Sequence, residues 1–167
     1  MNKKNILSLI VVFTVSAVNA QTADSVFDLR AGLGVSKLEQ SNIWMFVNEY
    51  EFNAKLTNHI AIAPSLVFNI KDHSGLSEPV FFQADINAFV SPFRNNRRND
   101  FRVGGGLGFY KLSGEGYAAR SAFGFNLIIE NTFMINDLFF IGAKAFMQPY
   151  FNKESSSGVL LKAGVNF

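Results

Sequence analysis

Two groups of ionisable side chains in this chain could do chemistry, and the first is a short run. Asp72-His73-Ser74, with Glu78 nearby, contains the residue types of a base, a nucleophile and an orienting acid. Hydrolases combine them because histidine can take the proton of a serine hydroxyl while a carboxylate orients its ring. Adjacent residues of an extended segment point in different directions, however, and polar glycine-containing loops use the same residue types. The run therefore favours a loop, and we expect the protein not to be an enzyme.

The second group consists of acids and bases on the polar side of segments that alternate between apolar and polar residues. Alternate side chains of an extended strand share one face, so these charges are expected on the same side of a sheet. We predict a network of ion pairs from these residues: Arg30, Glu49, Glu51, Asp85, Arg102, Glu130, Lys144 and Lys162. A buried charge is tolerated when it is paired, so the network would neutralise itself inside the fold.

Two pairings follow from folding neighbouring segments onto each other. The first predicted hairpin is expected to place Arg30 opposite Glu49, with Glu51 on the diagonal. Folding the sixth segment against the seventh is expected to place Lys144 diagonal to Glu130. Long side chains at such cross-strand offsets are within reach of each other. Ionic contacts between neighbouring strands are therefore part of the prediction.

The alternating segments predict a fold made of β-strands. The segments are residues 27–37, 42–56, 60–71, 80–93, 101–112, 121–134, 138–150 and 158–167. Polar links separate them, including a two-residue turn at Asn136-Asp137 and a loop over residues 152–157. Pro64 counts against the third strand, because proline cannot donate a hydrogen bond to a ladder. The mature chain has no convincing helical period, so we predict a single all-β domain of eight antiparallel strands.

The distribution of side-chain sizes decides which face of these strands points outward. An eight-stranded barrel has an interior just wide enough for side chains, and the apolar face carries most of the 19 phenylalanines. The polar face carries many glycines, as a narrow filled interior requires. Charges are almost absent from the apolar face, where a lysine or arginine facing lipid at mid-depth would cost about 2–4 kcal/mol. The sequence thus predicts an up-and-down transmembrane β-barrel, with a soluble periplasmic barrel as the alternative.

The first twenty residues have the pattern of an export signal. Lys3 and Lys4 precede an apolar run over residues 6–15, and Val18-Asn19-Ala20 offers a small-residue cleavage site. The apolar run is shorter than the roughly 20 residues of a membrane-spanning helix. We therefore predict a signal peptide over residues 1–20 and a barrel domain over residues 21–167.

The composition excludes several classes of partner and cofactor. The chain has 15 basic and 13 acidic residues, and the predicted signal peptide holds two of the basic ones, so no basic excess is left for a nucleic acid. Cysteine is absent, which excludes disulfides and thiolate metal sites. The glycine-rich run at residues 104–108 lacks the spacing of a nucleotide-binding loop. We expect no metal, no cofactor and no nucleic acid.

The last segment, Gly158–Phe167, carries a resemblance to a known family. Its apolar residues alternate along one face and it stops on an aromatic residue. It resembles the closing strand of bacterial outer-membrane barrels, and the mature chain resembles the eight-stranded porin-like proteins of the OmpA-domain and OmpX type. The resemblance implies a monomer in the outer membrane of a Gram-negative cell, surrounded by outer-membrane lipid and lipopolysaccharide. It also implies that Ala163, Val165 and Phe167 form the signal read by the barrel-insertion machinery.

The resemblance leaves three functions open. The first is a structural or surface-interaction protein whose lumen is plugged by ion pairs. The second is a small porin or channel for ions or hydrophobic solutes, which a conductance measurement would reveal. The third is a lipid A-modifying enzyme that uses His73, because some barrels of this size carry such an activity. We expect the first.

Overall fold

The computed structural model describes residues 26–57, 59–70, 79–92 and 99–167. The predicted signal peptide and the Asp72-His73-Ser74 run lie outside these residues. The described residues form eight strands: β1 (Phe27–Leu38), β2 (Ile43–Lys55), β3 (Ile60–Asn69), β4 (Val80–Val90), β5 (Asn99–Ser113), β6 (Arg120–Met134), β7 (Phe139–Pro149) and β8 (Ser155–Asn166). No helix among them is long and apolar enough to cross a membrane.

The eight strands form a closed barrel in which each strand is antiparallel to its neighbours in sequence, and β8 returns to pair with β1. At this seam the Phe27 amide donates to the Phe167 carbonyl at 3.2 Å, and the Phe167 amide donates to the Phe27 carbonyl at 2.9 Å. The start of β1 and the end of the chain at Phe167 therefore lie at the same end of the barrel as the turns near Thr57 and Asn136, which we call the end of the termini. We call the opposite end the outer end of the barrel. The prediction of an all-β, eight-stranded, antiparallel up-and-down barrel is confirmed.

The strand boundaries differ from the prediction by up to three residues at either end, and two of these differences have local reasons. β8 begins at Ser155, inside the predicted loop, because the serines there continue the ladder to β1 and the Ser36 and Ser156 hydroxyl oxygens lie 3.0 Å apart. The turn before β7 is longer than two residues. The Asn136 side-chain oxygen accepts hydrogen bonds from the amides of Leu138 at 2.9 Å and Phe139 at 2.7 Å, so Leu138 belongs to the turn.

Pro64 lies inside β3 and does not end it. On one side Pro64 pairs with Ile86 of β4. On the other side the pairing of β2 with β3 stops after Glu51 and Ser65 and resumes at Ala54 and Ile62. Proline has no amide hydrogen to donate, so the ladder is interrupted on one side and the strand continues.

Apolar side chains cover the outside of the barrel. Leu33, Trp44, Phe46, Phe123 and Leu161 are among the many large apolar residues that are more than half exposed. The inward positions between them are mostly polar or small, together with a smaller apolar set that includes Phe81, Phe89, Phe140 and Phe146. The barrel thus has an apolar outer surface and a largely polar interior, which is the reverse of the arrangement in a soluble barrel.

Candidate functional site

The interior of the barrel holds four cations and four carboxylates, each at most 5% exposed. We call this set the ion network, and its members are Arg30, Arg102, Lys144, Lys162, Asp28, Glu49, Glu51 and Glu130. They come from β1, β2, β5, β6, β7 and β8, always at positions whose neighbours in the strand point outward. The formal charges of the network sum to zero, as burial away from water requires.

Lys162 lies at the centre of the network. Its ammonium nitrogen is 2.8 Å from a carboxylate oxygen of Glu51, 3.1 Å from one of Glu49 and 3.2 Å from one of Glu130. Lys144 lies beside it, 2.5 Å from Glu49. The lysines therefore tie together carboxylates from β2 and β6, which are not neighbouring strands, and the contacts cross the lumen.

The two arginines extend the network toward the end of the barrel that carries the termini. Arg102 donates to Glu51 at 2.6 Å and lies 2.9 Å from Glu130. Arg30 donates to both oxygens of Asp28, at 2.6 Å and 3.0 Å, and also to Glu130. Paired hydrogen bonds of this kind use the planar geometry of the guanidinium group.

Aromatic rings cover the guanidinium groups. The Arg102 guanidinium carbon lies 3.8 Å from the centre of the Phe89 ring, and that of Arg30 lies 4.7 Å from the Phe140 ring. A ring face attracts a cation and excludes water from it. The phenylalanines thus close the network on the side of the chain termini.

Two predicted pairings are corrected by the register. Arg30 lies opposite Glu51, and Glu49 lies opposite Gly32. The shift arises because the four-residue loop lies one residue later than predicted: the strands end at the pair Leu38 and Ile43, and the loop covers residues 39–42, with Asn42 at a positive φ of 51°. Glu130 lies directly opposite Lys144 and not diagonal to it, although the two are not within ion-pair distance of each other.

Asp85 is predicted to belong to the network, but the structure places it apart. Its carboxylate accepts hydrogen bonds from the amide nitrogens of Gln83 at 2.7 Å and Gln148 at 3.1 Å. Among the residues that the structure describes, no cation lies within salt-bridge distance of the Asp85 carboxylate. The reason is the identity of its neighbours: Asp85 lies across from Ser65 on one strand and from Gly108 on the other, so neither position offers it a cation.

Aromatic and amide side chains fill the lumen toward the end opposite the termini. The rings of Tyr110 and Tyr150 lie 4.2 Å apart, and the Tyr150 hydroxyl donates to the side-chain oxygen of Gln83 at 3.0 Å. Asn152 donates to the Tyr110 hydroxyl at 2.7 Å. Phe81 packs against Tyr110 with ring centres 6.2 Å apart. This layer covers the ion network at the end of the barrel opposite the termini.

Glu154 joins the loops at that end. It is 4% exposed and accepts hydrogen bonds from the Gln40 amide at 2.8 Å and from the Ser41 hydroxyl. Arg120 approaches the same carboxylate at 3.5 Å. One buried carboxylate therefore connects three of the outer connections of the barrel.

Glu39 makes a second, exposed contact at the outer rim. Its carboxylate accepts hydrogen bonds from the Lys37 ammonium group at 2.7 Å and from the Ser157 hydroxyl at 2.6 Å. The Lys37 hydrogen bond, followed by that of Ser157, lowers the pKa of the Glu39 carboxyl below its ordinary value. The carboxylate is therefore held in its charged form at neutral pH.

Several residues of the site are missing from the prediction. Asn53 and Gln148 occupy alternate positions on the same faces as the predicted residues, and that parity is the signal that could have found them. Phe89 and Phe140 obey the same parity, but phenylalanine is also the main residue of the outer surface. Sequence alone therefore gives no reason to expect these two rings inside the barrel beside the guanidinium groups. In the part of the chain that the structure describes, no group of three His, Cys, Asp or Glu residues could hold a metal ion.

The predicted insertion residues lie along the seam of the barrel. Ala163 pairs with Ala31 and Ile141, and Val165 pairs with Leu29 and Phe139. The Phe167 ring lies 6.2 Å from the ring of Phe27. Ala163 and Val165 therefore belong to the strand that closes the barrel against β1, and Phe167 follows directly after it.

No protein-family model matches the chain, and no curated protein matches it by sequence. Among solved structures, Neisserial surface protein A is similar with a TM-score of 0.66 and 12% identity, covering 84% of this chain and 96% of that one. The chain has the fold of the small outer-membrane β-barrels.

Further neighbours of this outer-membrane barrel come from other bacteria. The N-terminal β-barrel domain of Pseudomonas aeruginosa OprF matches with a TM-score of 0.63 and 14% identity, covering 84% of this chain and 97% of that one. Ail, the attachment invasion locus protein of Yersinia pestis, matches with a TM-score of 0.56 and 16% identity, covering 86% and 97%. The predicted resemblance and the transmembrane barrel fold are confirmed, and these neighbours support the predicted outer-membrane location.

Proposed function

We propose that the protein is a monomeric integral outer-membrane barrel with a structural or surface-interaction role, no catalytic activity, and a lumen plugged by the ion network. The observation that carries the proposal is the burial of this network, whose members are at most 5% exposed and sum to zero charge. The rings of Phe89 and Phe140 on one side and of Tyr110 and Tyr150 on the other add two apolar covers to the plug.

The energetics of the network favour a plug over a channel. A hydrated ion would have to separate contacts such as Lys162 with Glu51 at 2.8 Å and Arg102 with Glu51 at 2.6 Å. Removing one partner from a buried pair costs about 3–5 kcal/mol, and an ion passing through would meet several pairs in turn. Transient leakage through such a barrier would be rare.

Planar-bilayer conductance tests the plug. We expect the refolded wild-type barrel to stay near baseline under conditions in which a 16-stranded porin gives open channels, because only the wider barrel leaves an aqueous path. Glu49→Ala and Glu130→Ala should lower the stability of the barrel and also stay near baseline. Large, stable channels in the wild-type protein would contradict the plug and support the channel alternative.

The outer surface suggests how the barrel contacts lipopolysaccharide. In the described strands the ionisable side chains that point outward are Lys37 and Lys111, and both lie at the end opposite the termini. The Lys37 ammonium lies 5.6 Å from the centre of the Trp44 ring, and Lys111 pairs with Phe82 in the β4 ladder. Lysines above an aromatic belt fit the level of anionic lipid headgroups.

The lipid contact is tested with Lys37→Gln and Lys111→Gln in one chain. The double variant should lose more stability in bilayers that contain lipopolysaccharide than in zwitterionic bilayers, where only the exposed pair of Lys37 with Glu39 is lost. The difference is read from urea midpoints in the two lipids. An equal loss in both lipids would assign the lysines a purely structural role.

The seam residues suggest how the barrel is assembled. We assign Ala163, Val165 and Phe167 to the signal for the insertion machinery because they end the strand that closes the barrel. Phe167→Ala should lower the amount of barrel assembled in cells while the purified variant still refolds in detergent. Equal losses in both settings would show that the residue acts on stability alone.

The remaining parts of the proposal concern the outside of the cell. The surface-interaction role takes support from Ail, an attachment invasion locus protein that has also been solved in complex with the heparin analogue sucrose octasulfate. The absence of catalysis is tested by mass spectrometry of lipid A from cells with the wild-type protein and with His73→Ala. Identical lipid A in both, and in cells without the protein, is the expected result.

A further inference from the structure

The two outward lysines of the described strands differ in the charges around them. The Lys37 ammonium lies 2.7 Å from the Glu39 carboxylate, which also accepts a hydrogen bond from Ser157 at 2.6 Å. Lys111 is exposed, and among the residues that the structure describes no carboxylate lies within salt-bridge distance of its ammonium group. The contact at Lys37 is therefore neutral, whereas Lys111 leaves an uncompensated positive charge at the outer end of the barrel.

The strands around Lys111 provide a further donor and no acid. Lys111 pairs with Phe82 of β4 on one side and with the exposed Ser121 of β6 on the other. On β4, β5 and β6 no outward position holds an aspartate or a glutamate. An ammonium group and a hydroxyl can both donate hydrogen bonds, so these two outward side chains suit an anion with several acceptor oxygens.

An aromatic surface lies next to this pair, on the side of the membrane interior. Phe109 precedes Lys111 by two residues, Phe123 follows Ser121 by two, and their ring centres are 5.1 Å apart. Phe82 adds a third ring beside Lys111. Aromatic rings with polar groups above them are typical of membrane interfaces. The positive charge is thus placed where the headgroup of a lipid meets its acyl chains.

We propose that Lys111 and Ser121 bind a phosphate group of lipid A, and that Lys37 contributes little to this binding. The inference rests on the lipopolysaccharide contact of the proposed function and assigns that contact to one side of the barrel. A phosphate monoester carries about 1.5 to 2 negative charges at neutral pH and has several acceptor oxygens, which match the donors beside Lys111. The same group at Lys37 would meet the negative charge of Glu39.

The aromatic surface favours a phosphate that belongs to a lipid over a free one. An exposed ion pair contributes little by itself, so one lysine in water holds a free anion weakly. Acyl chains that pack on Phe109 and Phe123 keep the phosphate of the same molecule beside Lys111, which raises its effective concentration there. The site therefore requires the phosphate to be attached to the lipid.

Unfolding in three kinds of bilayer tests the proposal. Barrels are refolded into zwitterionic vesicles that contain lipid A, lipid A without its phosphate groups, or no lipid A. The urea midpoint of the wild type should be higher with lipid A than with the dephosphorylated lipid, and we call this difference the phosphate shift. Lys111→Gln should lose most of the phosphate shift, Ser121→Ala should lose part of it, and Lys111→Arg should keep it. Inorganic phosphate added to vesicles without lipid A should leave the midpoint unchanged.

Native mass spectrometry gives the same comparison as an affinity. Lys111→Gln should raise the dissociation constant for lipid A about fivefold, which is the factor that one lysine near an anionic surface provides. The dissociation constant for the dephosphorylated lipid should stay at the wild-type value.

Two control variants separate the site from general effects of charge. Lys153→Gln removes one positive charge from an exposed loop position at the outer end, as Lys111→Gln does from β5, and should keep the phosphate shift. Lys37→Gln together with Glu39→Gln removes a neutral pair and should keep the shift as well. All of these side chains lie at the surface, so each variant should give the folded band on unboiled gels.

Three results would overturn the proposal. The first is a phosphate shift that Lys111→Gln leaves at the wild-type size, and the second is a control variant that loses as much of the shift as Lys111→Gln. The third is a midpoint that inorganic phosphate raises as much as lipid A does, which would indicate a site for free anions. Equal stabilisation by both forms of lipid A would remove the phosphate assignment and leave the lipopolysaccharide contact in place, whereas equal midpoints in all three vesicles would contradict that contact too.

Discussion

Removing Glu130 is the sharpest test of how the ion network holds the barrel together. Its carboxylate contacts Arg30, Arg102 at 2.9 Å and Lys162 at 3.2 Å, and the residue is 1% exposed. Glu130→Ala leaves the three cations in place and gives the interior one uncompensated positive charge. The variant should therefore fold into a barrel that unfolds more easily.

The contacts that survive set the size of the effect. Removing one partner of a buried ion pair costs about 3–5 kcal/mol. Arg102 keeps Glu51 at 2.6 Å, and Lys162 keeps Glu51 at 2.8 Å, so the loss should lie at the lower end, about 3 kcal/mol. With a slope of about 2 kcal/mol per molar urea, the midpoint should fall by about 1.5 M.

The assay is equilibrium urea unfolding of the refolded barrel. The folded fraction is read from mobility on unboiled gels and from the fluorescence of Trp44, the single tryptophan, which is 66% exposed on the outer face. Glu130→Gln is the matched control, since it keeps the volume and one acceptor oxygen and should lose less. Adding Lys162→Ala to Glu130→Ala restores neutrality, so the double variant should lose less than the sum of the two single losses.

A small effect would refute the reasoning. If Glu130→Ala stays within about 0.5 kcal/mol of the wild type, the change is that of an ordinary surface substitution. The lumen charges would then be hydrated, and the burial of the network would not describe the barrel in its membrane. Strict additivity in the double variant would lead to the same conclusion.

Three further predictions concern other parts of the barrel. Gly104→Leu should cost about 1–3 kcal/mol in urea unfolding, because a Cβ there would lie 2.5 Å from the Phe89 ring. Gly105→Ala, at the next glycine, which faces outward, should cost less. Glu154→Ala should cost about 1–3 kcal/mol, because the loop groups that donate to this carboxylate lose their hydrogen-bond acceptor. The variant should also be cleaved faster by protease in the outer loops, and an unchanged cleavage rate would contradict the role of Glu154. The Glu39 carboxyl should titrate below its ordinary range by NMR, and Lys37→Gln should move its pKa back up. The contribution of Glu39 to loop order is therefore present above the pKa of the unfolded state and is lost as the pH falls through the pKa of the folded state.

The barrel itself could be predicted from the sequence because inside and outside differ in polarity at every strand. Arg102 between Phe101 and Val103, and Lys144 between Ala143 and Ala145, are instances of the alternation. A strand that crosses a membrane must keep such charges on one side, so its period is visible in a single chain. The same constraint makes the number of strands and their order readable.

The ionic contacts could be predicted only as a set. Which carboxylate faces Arg30 depends on the position of the first loop, because moving the four-residue loop by one residue, from 38–41 to 39–42, changes the partner from Glu49 to Glu51. The contact of Arg102 with Glu51 crosses the lumen between β5 and β2, so it depends on the width of the barrel. Neither the position of a loop nor the width of the barrel can be predicted from the alternation of residues along one strand.

The seam between β1 and β8 has a consequence for how the protein is made. Ser36 and Ser156, which meet there, are 120 residues apart in the chain. Ring closure therefore waits until the whole polypeptide has been exported, and until then both margins of the growing sheet are open to other chains. Purified chains should accordingly close slowly and precipitate as their concentration rises, and the cell must shield them during transit.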